Sequence, residues 1–436
     1  MGYIKRIVDL EIDRRISAFG AVNIVGPKGC GKTRTAKERC KTVIEFQDED
    51  KRDGYLAVAE TSPSLFLNNE KPILFDEWQD APKIWGMVRK ACDDYPEKVG
   101  QYFLTGSTSK KVDTPHTGTG RISEITMYPM TLCETGESNG TVSLSKLFDD
   151  ENYDIDGKKS DIELTDLFFS VCRGGWPRCL SLQTKDAKLE IAKDYYHQIC
   201  EKDINAIDGV KRNSDWARIL IWSYARNIAT LSKYKTIYAD VKASHNVTDA
   251  TLASYIDALE RLFVIKDIDA WTPQIRSKTA IRSSKKHIFI DPSIAIAALG
   301  ISPEYFNNDL DLFGHVFENL VLRDLMVFAS GHNNARVMHY NDDMGLEADA
   351  VYQLEDGRYA LIEIKTGANA IPSAEKNLLK FKEIIKRHNE EVLKDKEHPG
   401  VLYREPTVLI IICANIQMAY TTENGVKVIP VGCLRN

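Results

Sequence analysis

At 436 residues the chain is long for one domain, and its length predicts about three. Hydrophobic residues at 43% and charged residues at 28% mark an ordinary globular protein, and a net charge of −6 excludes a uniformly basic nucleic-acid binder. Nine scattered cysteines without a C-x-x-C pair point to reduced thiols and away from a zinc site.

The opening "MGYIKRIVDLEIDRRI" has acids within its apolar stripe, lacks a signal-peptide core, and has no Ser or Thr at the sixth position for myristoylation. The longest apolar run, "TVLIIICA" (407–414), is strand-sized against the ~18 residues of a membrane span, so no membrane association and a cytoplasmic location are expected. Residues 1–135 alternate strand and helix signals, with strands predicted at 21–25, 42–47, 72–78, 101–107 and 121–129. A helix is predicted at 82–95, with Ile84, Val88 and Cys92 in register. Apolar strands separated by helices read as a parallel sheet covered on both faces.

Between the first strand and the first helix lies "GPKGCGKT" (26–33), which fits G-x-x-x-x-G-K-[ST]. Gly26, Pro27, Lys28, Gly29, Cys30, Gly31, Lys32, Thr33 and the following Arg34 are the candidate ATP-binding residues. Glycines let backbone N–H groups curl around phosphate oxygens, Lys32 reaches the β- and γ-phosphates, and Thr33 ligates Mg²⁺. A glycine-rich surface turn is the alternative, but the strand before and helix after favour phosphate. "ILFDEWQD" (73–80) adds Asp76, a carboxylate at a strand end that holds Mg²⁺ through water, and Glu77, placed to orient the attacking water. "YFLTGSTS" (102–109) ends a strand with Thr105, whose hydroxyl either meets the γ-phosphate or belongs to a polar loop. Arg121, after "HTGTG", either stabilises transition-state charge, within its own chain or across subunits, or pairs with a neighbouring acid.

Residues 136–163 are polar and acidic and read as a linker or surface excursion. The helical period dominates from 164 to about 232, broken by a turn at "RGGWP" (173–177), so 136–232 is assigned as a helical lid and linker region. Residues 233–304 read as a winged-helix-like module: a helix, a turn, a helix starting near Thr248 with Leu252, Ile256, Leu259 and Leu262 on one face, and a strand. "RSKTAIRSSKK" (276–286) then sets Arg276, Lys278, Arg282, Lys285 and Lys286 together without an acid. That is a candidate phosphate-contacting wing for DNA, or else a solvated hairpin or a protein-docking surface.

In residues 305–436 a helix carries Glu318, a strand (346–354) carries Asp349, and "YALIEIKTG" (359–367) places Glu363 and Lys365 on one face. A helix at 373–389 and the strand at 407–414 follow. Carboxylates converging with a lysine suit metal-dependent phosphodiester cleavage: Asp349 and Glu363 bind Mg²⁺, and Lys365 orients water or offsets charge. This arrangement resembles the PD-(D/E)xK restriction-endonuclease-like core, with Ala348 where the name expects proline and Glu347 as an alternate ligand or an outward-facing acid. A degenerate nuclease fold kept for binding is the alternative.

"GPKGCGKT", "ILFDEWQD", "YFLTGSTS" and "GRISEITMYPMTLCE", followed by "CRGGWP" and "KDYYHQICEKDI", resemble in order the segments of a bacterial and archaeal AAA-type ATPase family fused to a C-terminal domain of unknown function. The fold class expected is therefore multidomain α/β: a P-loop NTPase parallel sheet, a helical and winged-helix middle, and a restriction-endonuclease-like C-terminal domain. The expected function is an ATP-hydrolysing switch or motor coupled to a nuclease-like, DNA-engaging domain, with ATP and Mg²⁺ as cofactors. The alternative is a nucleotide-gated protein-interaction module with an inactive nuclease fold. Oligomeric state stays open.

Overall fold

The computed structural model describes residues 2–106, 117–273, 284–342, 345–394 and 400–436. Strands β1 (Ala21–Val25), β2 (Thr42–Glu45), β3 (Ile73–Asp76), β4 (Tyr102–Gly106) and β5 (Ile122–Thr126) form a parallel sheet in the order β2-β3-β4-β1-β5. β1, β3 and β4 are buried at every position, because alternate side chains feed two different cores. Ala21, Phe75 and Leu104 pack with Ile84 and Val88 of the helix Lys83–Asp94. Val22, Leu74 and Phe103 pack with Val8 and Ile12 of the helix Val8–Ile16 and Ala36 of the helix Lys32–Lys37. The multidomain α/β expectation thus holds at the level of a covered N-terminal parallel sheet.

The segment 136–163, expected as a linker or surface excursion, is instead wound into the protein. Its β6 (Val142–Ser143) pairs with the C-terminal end of the chain, and Val142, Leu144, Leu147, Phe148 and Ile155 are buried in the largest core cluster. Five apolar side chains dispersed among acids carry no clear period, which is why polarity alone misreads the segment.

Helices Leu164–Arg173 and Lys185–Gln198 follow; the second runs through a π-helical stretch, Ile199–Asp203, into Ile204–Ala206. Helices Ser214–Arg226, Tyr234–Ser244 and Asp249–Arg261 then lead into an antiparallel pair, β7 (Ile265–Ile268) and β8 (Lys286–Phe289). Thr248 caps the helix Asp249–Arg261 by accepting from the Thr251 N–H at 3.1 Å, and Leu252, Ile256, Leu259 and Leu262 are buried.

In the C-terminal part, β9 (Arg336–Asn341), β10 (Glu347–Gln353), β11 (Tyr359–Gly367), β12 (Val408–Asn415), β13 (Tyr420–Thr421) and β14 (Lys427–Pro430) form one sheet in the order β13-β14-β12-β11-β10-β9. β9, β10 and β11 are antiparallel, whereas β12 runs parallel to β11 across the crossover helix Ile371–Lys394. That helix packs Ala374, Leu378 and Phe381 on one face, and the helix Leu310–Gly331 covers the other. β9 is unforeseen in the sequence, since "RVMHYN" is half-exposed at an edge and shows no clean alternation. The last strand, β15 (Leu434–Arg435), pairs with β6.

A fully buried guanidinium ties these parts together. Arg323 donates to Asp291 at 2.7 Å and to Asp324 at 2.6 Å. Asp291 also accepts from the Gly175 N–H (2.9 Å), and Asp324 from the Leu132 N–H (3.1 Å). Gly175 must be glycine, because a Cβ there would meet the Met130 carbonyl oxygen at 2.1 Å.

Candidate functional site

The glycines after β1 adopt backbone conformations closed to other residues: φ is 149° at Gly26, 73° at Gly29 and 108° at Gly31. At Gly26 a Cβ would also lie 2.2 Å from the carbonyl oxygen of Met127, the residue after β5, so the two segments can touch here only through glycine. Lys32 is buried at the loop's centre, with Nζ donating to the Gly26 and Pro27 carbonyls at 3.0 and 2.9 Å. Cys30 is buried with Sγ 3.5 Å from the Met127 oxygen, Arg34 pairs with Glu38 at 2.6 Å, and Lys28 pairs with Asp203 at 2.6 Å.

The ends of three parallel strands meet this loop. Thr33 Oγ1 donates to Asp76 Oδ1 at 2.7 Å, and the Thr105 hydroxyl donates to the same oxygen. Burial pushes the Asp76 carboxyl up, while the hydrogen bonds from Thr105 and Thr33 pull it back. Glu77, next in the chain, sits at φ 52°, a conformation uncommon for a residue with a side chain, and accepts from the Gln79 amide. Two oxygen groups from Thr33 and Asp76 in contact are the hard donor set that suits Mg²⁺, which keeps several of its waters.

Arg121 is elsewhere. It precedes β5, whose first residue Ile122 pairs with Ala21 at the start of β1, whereas the phosphate loop follows Val25 at the other end. Four residues of strand, about 13 Å, separate the two levels. Its guanidinium pairs with Asp93 at 2.6 Å, the contact that the neighbouring-acid reading describes. Within its own chain Arg121 cannot reach the loop.

A feature the sequence reading missed lies on the other side of the loop. Tyr3, Ile4, Thr35, Pro177 and Leu180 border a cavity of about 110 Å³ against Gly31. Arg6 fixes its floor, donating to the Cys30 carbonyl at 2.8 Å and to Glu134 at 3.0 Å. "RGGWP" signalled a turn, but nothing in it signalled that Pro177 returns to the phosphate loop.

In the C-terminal part, Glu318, Asp349, Glu363 and Lys365 do come together, and a second lysine joins them. Lys365 Nζ lies 2.6 Å from Glu363 and 3.0 Å from Asp349. Lys286, the first residue of β8, pairs with Glu318, lies 4.0 Å from Asp349 Oδ1, and donates to the Asp349 backbone oxygen at 3.2 Å. Asp349 further accepts from the Ile364 N–H (2.7 Å), and Glu363 from the Asn377 amide (2.6 Å). Burial pushes the Glu318 and Glu363 carboxyls up to about 7. Burial acts on Asp349 too, but Lys286 and Lys365 hold it below the usual carboxylate range. Glu347 is exposed, at the rim of the cluster, where its charge still acts on Lys286.

This overturns the place of Lys286 in the basic segment: it is 7% exposed and spent on Glu318, not available to a phosphate backbone. Lys285 is exposed but pairs with Asp269 at 3.1 Å. Arg276, Lys278 and Arg282 lie outside the described residues. Among the described residues, no group of three His, Cys, Asp or Glu side chains is arranged to hold a metal ion, and Lys365 and Lys286 pair with the carboxylates of this cluster. Also among them, no helix is long and apolar enough to cross a membrane.

Residues 18–136 match the model of an AAA domain. Residues 164–305 match a domain of unknown function, DUF8612, and residues 313–434 match another, DUF4143. No curated protein matches the chain. Solved structures similar to it include the Walker-type ATPase PABY2304 of Pyrococcus abyssi, 14% identical, with 68% of this chain and 96% of that chain covered at a TM-score of 0.42. Another is the Signal Transduction ATPase with Numerous Domains protein PH0952 from Pyrococcus horikoshii, which has a tetratricopeptide repeat sensor; it is 13% identical, with 76% of this chain and 47% of that chain covered at a TM-score of 0.23. The chain thus carries an AAA-like P-loop domain joined to a C-terminal domain of unknown function.

Proposed function

We propose that the protein is an ATP-hydrolysing switch whose nucleotide state is relayed to its C-terminal domain. The observation that carries this reading is the convergence on one carboxylate oxygen: Thr33 and Thr105 both donate to Asp76 beside the Lys32 loop. Loop N–H groups and Lys32 hold the β- and γ-phosphates, and the apolar cavity at Tyr3 and Pro177 takes the base. Thr33 and Asp76 hold Mg²⁺, which when bound neutralises charge on the phosphate oxygens. Glu77 orients water for attack; its strained backbone is consistent with a side chain held for a task rather than for packing. On this reading residues 1–135 bind nucleotide, 136–232 and the winged-helix-like 233–304 relay its state, and 305–436 respond.

For the C-terminal domain we favour a restriction-endonuclease-like core used for binding rather than cleavage. Its helix–strand order and the Asp349, Glu363, Lys365 face support the fold. Lys286 and Lys365 already neutralise two of three carboxylates, so as arranged the cluster does not fit a divalent ion, and we derive no cleavage step. With Lys286 withdrawn from the basic segment, no described contact favours DNA over a protein partner.

Glu77→Gln keeps the shape and removes the carboxylate, so it should retain ATP and cut turnover by about a hundredfold or more, the usual worth of a positioned acid–base group. Steady-state phosphate release checks this, and undiminished turnover would move the role elsewhere. Wild-type protein with Mn²⁺ should leave supercoiled plasmid intact; nicking lost in Asp349→Asn would restore the nuclease reading.

A further inference from the structure

The phosphate loop is tied to the helical region by an ion pair that nucleotide binding would contest. Lys28 follows Pro27, whose carbonyl accepts from Lys32 Nζ at 2.9 Å. Since Lys32 is the side chain that reaches the β- and γ-phosphates, Lys28 stands at that end of the loop. Its ammonium lies 2.6 Å from Asp203 on a half-exposed, four-carbon stem free to swing. Asp203 is far less mobile: its side chain is 12% exposed, and it closes the π-helical stretch Ile199–Asp203. Such π-helical insertions are frequently found at functional sites. On the preceding helix, the Tyr195 ring lies 4.5 Å from that of Trp176 in "RGGWP".

We infer that Lys28 senses the γ-phosphate, leaving Asp203 when ATP is bound and staying on Asp203 when ADP is bound. This deepens, and rests on, the nucleotide reading above. A pair this exposed is a weak one in water, so a terminal phosphate carrying more than one negative charge outcompetes a single carboxylate. ADP has no phosphate at that position and leaves the pair intact. Release of Asp203 frees the π-helical stretch, which gives the helical region a means of distinguishing the two nucleotides. By linkage, whatever stabilises the Lys28–Asp203 pair disfavours ATP.

The test is titration of full-length protein with Mg²⁺ and either AMPPNP or ADP, alongside hydrogen exchange over residues 195–206. Lys28→Gln should weaken AMPPNP about tenfold, the scale of one charge-assisted contact, and change ADP less than twofold. Lys28→Arg should restore most of the loss. Asp203→Asn should tighten AMPPNP several-fold by removing the competitor, without affecting ADP. In the wild type, exchange over 195–206 should be faster with AMPPNP than with ADP. Equal effects on both nucleotides in Lys28→Gln, or weakened AMPPNP in Asp203→Asn, would overturn the sensor. Lys32→Ala keeps the two ideas apart: if it still binds both nucleotides normally, the nucleotide site itself is wrong, whatever Lys28 does.

Discussion

His339 in β9 is a residue that folding keeps neutral. Its Nε2–H donates to the Ser284 carbonyl at 3.0 Å, and its Nδ1 is buried without a partner. Burial, with Lys286 nearby, pushes its pKa down from 6.5 to about 4. A base depressed by folding binds fewer protons native than unfolded, so its contribution is intact above 6.5 and is lost as pH falls toward 4. Between pH 8 and pH 5 this amounts to about 2 kcal/mol. Glu318 and Glu363 act with the opposite sign: with carboxyls raised to about 7, they cost stability as pH rises through 5 to 7. Urea unfolding at both pH values, in wild type and His339→Gln, separates the two. The wild type should lose about 2 kcal/mol more than the variant on acidification, and equal losses would mean that His339 protonates freely.

At the scale of elements, β8 is pinned to the C-terminal domain through Lys286. Lys286→Met leaves Glu318 and Asp349 buried without their shared cation, and breaking such a pair costs about 3–5 kcal/mol. Adding Glu318→Gln removes one orphaned charge and should recover a substantial part of that loss in denaturant melts, whereas additive losses would deny the coupling. Lys286 also shows where sequence reading stops. In "RSKTAIRSSKK" it is one cation among five, and no count reveals that it opens a strand facing a carboxylate on a helix 32 positions later. Glu363 and Lys365 were legible because a spacing of two fixes one face of a strand. The phosphate loop was legible because its glycines have no other economical use. The helix Asp249–Arg261 was legible from its cap and stripe, whereas β9 and the buried stretch 142–155 were not, since neither carries a period.

At the scale of the molecule, nucleotide site and C-terminal domain share covalent neighbours and buried polar contacts. Met130 donates to the Gly175 carbonyl at 2.7 Å, Gly175 to Asp291, and Asp291 pairs with Arg323 on the long C-terminal helix. These contacts run toward the helix that also carries Glu318, and the proposed switch would use them to relay a change at the loop. Everything in that account depends on nucleotide at Lys32. The most direct test is the unfolding free energy with and without Mg²⁺-ATP in wild type and Lys32→Ala. At ATP about 100 times its dissociation constant, the wild type should gain about 2.7 kcal/mol if only the folded state binds, and the variant should gain nothing. An equal gain in both proteins, or none in either, would contradict the account.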